Sequence, residues 1–226
     1  MSAVNATRDP NFLLARHEKR LLTAIARRLP RWILPDDLTV LGVASAIGIC
    51  VAYCATNADH RWLWVASALL VVHWLGDSLD GTLARVRGIE RPRYGYYLDH
   101  LVDAISTACI GIGLGLSPFM LLATGALIVV AYLMLSINVY LESYALGRFS
   151  IGYGRVGPTE VRIILIALNI VLALGTGLGF HVAGIGLTPI DLVALGVAVV
   201  MCALLVGRAV ANLRRLSRDE PAAARF

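Results

Sequence analysis

The stretch GDSLDGTLARVRGIERPRYGYYLDHLVDA, residues 76 to 104, decides how the rest of the chain is read. It sets four carboxylates, Asp77, Asp80, Asp99 and Asp103, where one long apolar run ends and the next begins. Such groups are costly beside hydrocarbon and point by default to function. At about 100° per residue, Asp80 falls about 60° to one side of Asp77, while Gly81 lies about 40° to the other side and Ala84 about 20° away. Two carboxylates and two very small side chains therefore share one helical face. Gly95, Asp99 and Asp103 follow at i, i+4 and i+8 and form a second stripe. If the two helices are antiparallel neighbours joined by the short basic connection Arg85–Tyr94, all four aspartates lie at one depth, near one interface.

The chain around this stretch is far too apolar for a soluble domain. Of its 226 residues 58% are hydrophobic, and its mean hydropathy is +0.73, whereas ordinary soluble domains are about 45–50% apolar. The expected fold is all-α and polytopic: six transmembrane helices plus an N-terminal amphipathic surface helix. Spans of about 20 apolar residues are expected at Leu38–Ala55, Trp62–Leu79, Gly95–Leu116, Phe119–Leu141, Val161–Leu178 and Pro189–Ala211. In NFLLARHEKRLLTAIARRLPRWI, residues 11–33, Phe12, Leu13, Ala15, Leu21, Leu22, Ile25 and Leu29 recur at helical spacing, with Arg16, Lys19, Arg20, Arg27 and Arg28 filling the rest, as in a helix lying on a membrane surface. Pro35, Asp36 and Asp37 end that segment and cap the first span. Three divisions follow: an N-terminal cytoplasmic segment 1–37, a transmembrane catalytic domain 38–211 and a basic cytoplasmic tail 212–226.

Arginine crowds the N-terminal segment, the second-to-third and fourth-to-fifth connections and the tail, while the other connections hold only Arg61, His60 and His181. Positive charge stays inside, so both termini and the aspartates are expected on the cytoplasmic side of a plasma or bacterial inner membrane. The net charge of +5 then attracts anionic headgroups. The basic residues flank spans, which argues against nucleic acid as a partner. Cys50, Cys54, Cys109 and Cys202 lie in apolar runs without metal-type spacing and act as small apolar fillers. The polar N-terminus shows no cleavable signal peptide.

Four carboxylates at one depth need countercharge, and a pair of divalent cations would balance them. Oxygen-only ligands favour Mg²⁺, Mn²⁺ or Ca²⁺ over zinc. The arrangement suits phosphoryl transfer: metals neutralise phosphate oxygens, Arg85 adds positive charge, and an aspartate takes a proton from an incoming hydroxyl.

The eight positions Asp77, Asp80, Gly81, Ala84, Arg85, Gly95, Asp99 and Asp103, spread over 27 residues, resemble the signature of the CDP-alcohol phosphotransferase family. The gap between Arg85 and Gly95 is one residue longer than the commonest form. The resemblance implies a membrane enzyme of phospholipid biosynthesis that moves a substituted phosphate from a CDP-linked donor to an alcohol acceptor, a lipid or a small alcohol, and releases CMP. It implies that Asp77, Asp80, Asp99 and Asp103 hold two Mg²⁺ or Mn²⁺ ions and that Asp103 is the general base. It also implies that Gly81, Ala84 and Gly95 admit the cytidine nucleotide while Arg85 braces that region. Relatives commonly pair, so a homodimer is expected from the likeness.

A second resemblance is to the choline/ethanolamine phosphotransferase branch, which joins a CDP-amino alcohol to diacylglycerol. It rests on His100 directly after Asp99, on Glu142 and Tyr144, and on Gly157-Pro158-Thr159-Glu160. The chain departs from that branch in having fewer C-terminal spans than its eukaryotic members and in Thr82, where they often carry lysine. Phosphatidyltransferases that use CDP-diacylglycerol with inositol phosphate, glycerol phosphate or serine share the core signature and remain the alternative. From outside the family, a divalent-cation transporter would place its carboxylates near the midplane on broken helices, and an inert lipid-binding scaffold would leave them idle.

Other polar residues have two readings each. His100 competes with Asp103 as base. His73, one turn deeper than Asp77, either lines the site or bonds a neighbouring helix. Asn138 and Asn169 read as interhelical ties, and Trp32, Trp62 and Trp64 as interface anchors. Arg155 and Arg162 border the mouth, where they bind a phosphate or only add inside charge. Glu160 binds an amine headgroup or caps a helix.

Overall fold

A computed structural model describes residues 15–146, 157–175 and 186–220. Every regular element in them is a helix: α1 (Ala15–Arg28), α2 (Pro35–Ala55), α3 (Trp62–Arg87), α4 (Pro92–Gly115), α5 (Leu122–Leu146), α6 (Pro158–Ala173) and α7 (Pro189–Asp219). Five of these, α2, α3, α4, α5 and α7, are long and apolar enough to cross a membrane. The expected span Val161–Leu178 is represented among the described residues by α6, whose 16 residues reach about 24 Å at 1.5 Å per residue, against a hydrocarbon core of about 30 Å.

Local chemistry sets the helix ends. Pro35 opens α2, and the Asp37 carboxylate accepts the Leu34 N–H at 2.8 Å. In α3 the helix continues past Leu79, so that Gly81, Ala84 and Arg85 are helical, and it stops where Gly88 turns left-handed at φ 64°. Pro92 opens α4, leaving only Gly88–Arg91 as the connection. Thr188 and Asp191 cap α7 reciprocally, and α7 runs to Asp219, past the expected end at Ala211.

Packing corrects one expectation. α3 and α4 are not extensive neighbours among the described residues; both lie along α2, while α6 and α1 also pack on α3, α5 packs on α4, and α7 on α5. Close approach to α2 depends on glycine. A Cβ on Gly76 would come 2.7 Å from the Leu38 carbonyl oxygen and 2.8 Å from the Gly42 nitrogen, and one on Gly113 would come 2.7 Å from the Cys50 Cα. Without a hydrophobic drive between helices in lipid, such small-residue contacts carry helix association.

The main apolar cluster joins Tyr53 of α2, Leu63 and Leu70 of α3, Leu114 of α4, Leu172 of α6 and Ala194 of α7. All lie at the ends of their helices remote from the aspartates. At the aspartate end the cluster is smaller and joins α1, α2 and α3 only, through Leu22, Ala26, Leu38, Leu79 and Leu83. Among the described residues, the apolar core is therefore larger at the end remote from the aspartates than at theirs.

Within α1, Leu22 and Ala26 face this small cluster, while Lys19, Arg20, Arg27 and Arg28 are exposed. Phe12 and Leu13 lie outside the described residues. Arg87 holds the chain after α1, donating to the carbonyls of Leu29, Pro30 and Ile33. Asn169 ties α6 to two helices: it accepts the Tyr53 hydroxyl at 3.1 Å and donates to Ser67 at 3.2 Å. Asn138, by contrast, donates to Glu142 within its own helix. Trp32, Trp62 and Trp64 are exposed, and the four cysteines are free thiols.

Candidate active site

Asp77 and Asp80 lie on α3 and Asp99 and Asp103 on α4, two helices that both pack along α2. Asp80 is fixed from both sides: its Oδ2 accepts the Thr39 hydroxyl of α2 at 2.7 Å, and its Oδ1 accepts the Gly81 N–H at 2.5 Å. Asp77, one turn deeper, accepts Nη2 of Arg162 from α6 at 2.6 Å. That arginine comes from α6, not from the α3–α4 turn, and it is buried. Asp99 at the start of α4 is half exposed, with its Oδ2 3.4 Å from His100 Nδ1.

The carboxylates share one electrostatic neighbourhood. Asp77 and Asp99 both act on Asp80, and Asp77 and Asp103 both act on Tyr132 of α5. In donor chemistry the set fits hard divalent cations, being all carboxylate oxygen. As placed, no three His, Cys, Asp or Glu side chains among the described residues converge on one point, since Asp77 is turned to Arg162 and Asp80 to Thr39.

Space and charge lie beside the acids. Among the described residues nothing comes within 4 Å of a Cβ built on Gly95, and at Gly81 the nearest group is the head of Arg85, 3.4 Å away. Arg85 is exposed and donates to Thr82 Oγ1 at 3.1 Å. Ala84 is partly buried on the same face. Nearby, Arg91 pairs with Asp36, which raises the arginine's pKa above its ordinary value, and lies 3.9 Å over the Tyr94 ring.

His100 does not face the cleft alone. Its ring sits between Tyr96 at 4.1 Å and Tyr140 of α5 at 4.8 Å, and its side chain is 14% exposed. His73 is buried and its Nδ1 has no hydrogen bond, although the charges of Arg162 and Asp77 both act on the ring. It makes no bond to a neighbouring helix through that atom.

The remaining expected substrate residues separate. Glu142 is buried in α5, with Oε1 taken by Asn138, Asn212 and Arg208 Nε, and Oε2 by Arg208 Nη2. This cluster ties α5 to α7. One Glu160 oxygen accepts the Gly157 N–H at 2.9 Å and caps α6, while the other is buried without a partner. Arg155 lies outside the described residues. Sequence reasoning missed Thr39, Tyr132 and Tyr140, and also Glu18, which accepts both Trp74 Nε1 and Thr159 Oγ1 at 2.9 Å. Single hydroxyls, rings and acids in amphipathic or apolar runs carry no spacing that would mark them.

The family model described as CDP-alcohol phosphatidyltransferase matches residues 32–207. Human cholinephosphotransferase 1 is 24% identical over 161 residues, 68% of this chain and 39% of the relative. The chain thus spans about two fifths of that protein's length. Phosphatidylinositol phosphate synthase of Cutibacterium acnes is 31% identical over 98 residues, 43% of this chain and 45% of the relative. The crystal structure of Mycobacterium tuberculosis phosphatidylinositol phosphate synthase with CDP-DAG bound superposes with a TM-score of 0.56 at 24% identity, over 92% of this chain and 98% of that one. That likeness shows a shared fold.

Proposed function

Because the chain belongs to the CDP-alcohol phosphatidyltransferase family, whose members are transferases of phosphate-containing groups, we propose that it is an integral membrane phosphotransferase that joins a CDP-amino alcohol to a diacylglycerol-type lipid. The observation that carries the reading is the set of four carboxylates on α3 and α4 beside Gly95, whose Cβ position has no described atom within 4 Å, and Gly81, which is met first by the Arg85 side chain. The amino-alcohol donor is favoured by His100 and by the Gly157–Glu160 sequence, together with the likeness to cholinephosphotransferase.

In this reading Asp77, Asp80, Asp99 and Asp103 hold two divalent cations, which when bound supply Lewis-acid neutralisation of the phosphate oxygens. Gly81, Ala84 and Gly95 give the cytidine nucleotide room against the helix backbones, and Arg85 swings from Thr82 towards the diphosphate. Asp103 accepts the proton of the acceptor hydroxyl as its oxygen bonds to the distal phosphorus of the donor. The bond from that phosphorus to the bridging oxygen breaks, and CMP leaves with both electrons. Asp80 is kept in register by Thr39. The α1 helix lies on the cytoplasmic membrane surface, with its basic face towards anionic headgroups, and the active site opens to the cytoplasm.

The test is a donor panel: purified protein with Mn²⁺, diacylglycerol and CDP-choline, CDP-ethanolamine or CDP-diacylglycerol, with CMP and lipid products identified by mass spectrometry. Product from a CDP-amino alcohol supports the reading. Product only from CDP-diacylglycerol with inositol phosphate, glycerol phosphate or serine selects the alternative, which the match to phosphatidylinositol phosphate synthase favours. No CMP from any donor, with metal flux in vesicles, selects a transporter.

A further inference from the structure

The mechanism above leaves Arg162 without a task, yet the fold places it with care. It is only 8% exposed, so a phosphate arriving from solvent has little access to it. Its Nη2 lies 2.6 Å from Asp77 Oδ2. On either side α6 is tied down: Thr159, nearly one turn earlier, is bonded through Glu18 towards Trp74 of α3, and Asn169, two turns later, is bonded to Ser67 and Tyr53. The guanidinium is therefore presented to the carboxylate by the helix and not by a mobile side chain. His73 stands within the reach of both charges, and its Nδ1 bonds to neither.

Asp77 is partly buried, its side chain 18% exposed, and removing one member of such a pair leaves the other charge without its partner. At Asp77 the partner is a permanent cation, because arginine does not lose its proton. We propose that Arg162 is a positioning residue: it is the resident counter-cation of Asp77, which holds that carboxylate in the site and weakens the grip of the site on a divalent ion. This rests on the two-cation reading of the four aspartates. A divalent ion that takes Asp77 must either share the oxygen with a guanidinium or displace it, and the repulsion between the two cations lowers affinity in either case. The gain is that Asp77 stays in place between turnovers, and that metal held with donor can leave with the product.

The test measures Mn²⁺ binding to the purified protein without donor, by the electron paramagnetic resonance signal of free Mn²⁺, alongside CMP release. In Arg162→Gln the Mn²⁺ Kd should fall by about tenfold or more, a conservative discount on the repulsion of a divalent ion by a nearby guanidinium, while turnover falls. Tighter metal with slower chemistry is a pairing that a purely structural role would not produce. A Kd that is unchanged or weaker overturns the proposal, as does a rise in donor KM with Mn²⁺ affinity unmoved, which would make Arg162 a phosphate ligand. If Arg162→Gln does not fold, Arg162→Lys decides: it keeps the charge and should hold the Kd within about threefold while turnover drops, and a larger weakening overturns the proposal. Wild-type protein that takes up no Mn²⁺ removes this inference even if CMP is still released. The donor panel fails independently of the metal titration.

Discussion

Substituting Gly76 by alanine adds one methyl at the tightest point of the α2–α3 contact. The new Cβ would meet the Leu38 carbonyl oxygen at 2.7 Å and the Gly42 nitrogen at 2.8 Å, and both are backbone atoms that cannot turn aside. Ordinary contact begins at 3.4 Å, so α2 and α3 must part by roughly 0.7 Å, an overpacking that costs about 1–3 kcal/mol. Alanine's better helix propensity returns about 1 kcal/mol at either site, so the net expectation is a loss of about 0–2 kcal/mol, and about 1–3 kcal/mol relative to alanine at an uncrowded helical glycine. One turn along, the Thr39–Asp80 hydrogen bond of 2.7 Å would stretch to about 3.4 Å, the edge of a useful bond, and turnover should fall with stability. Gly196 of α7 is the control, since nothing lies within 4 Å of its Cβ position; alanine there should leave stability unchanged or raise it. Both variants would be unfolded by SDS titration in the same mixed micelles. Equal stability of Gly76→Ala and Gly196→Ala would refute the packing argument.

Three further outcomes are expected at the site. Exhaustive chelation should abolish CMP release, with Mg²⁺ or Mn²⁺ restoring it; full turnover without metal would end the two-cation reading. Asp103→Asn should lower turnover by roughly 10² or more while a fluorescent CDP-donor still binds, whereas Asp77→Asn should lose metal and donor together. An active Asp103→Asn beside an inactive, donor-binding His100→Ala moves the base to His100. Gly81→Leu should insert and fold yet lose donor affinity in the same binding assay, because the neighbourhood of Gly81 is open apart from the Arg85 head; normal affinity would show that nothing docks against that face.

Much of the site was legible because it is local. Asp77, Asp80, Gly81 and Ala84 fall on one face by helical arithmetic, and the Gly95–Asp99–Asp103 stripe obeys the same rule. Asp37 and Pro35 announced the start of α2, as capping chemistry requires. The features that escaped are long-range. Nothing in the spacing of α3 and α4 says that α2 lies along both of them; that follows from Gly76 meeting Gly42 and Gly113 meeting Cys50, pairs that only folding brings together. Arg162 and Asp77 are 85 residues apart, and Glu142 and Arg208 are 66 apart. An arginine near an interface reads as topology until its partner is known. The apolar span of α3 ends at Leu79, but the helix that the face arithmetic carries through Ala84 runs on until Gly88 permits a left-handed turn.

The uneven core gives the molecule the mechanics of a clothes-peg. Its spring is the large cluster around Tyr53, Leu63, Leu114 and Leu172, far from the aspartates. One jaw is α3, stiffened by the bonds that lash α6 along its length; the other is α4 with α5 and α7, fastened through Glu142 and Arg208. Widening at the acids is then expected to pivot about the far end. Spin labels on α3 and α6 should keep their distance when donor binds, while labels at the aspartate ends of α3 and α5 should change theirs. Equal movement in both pairs would mean that the jaws are not rigid.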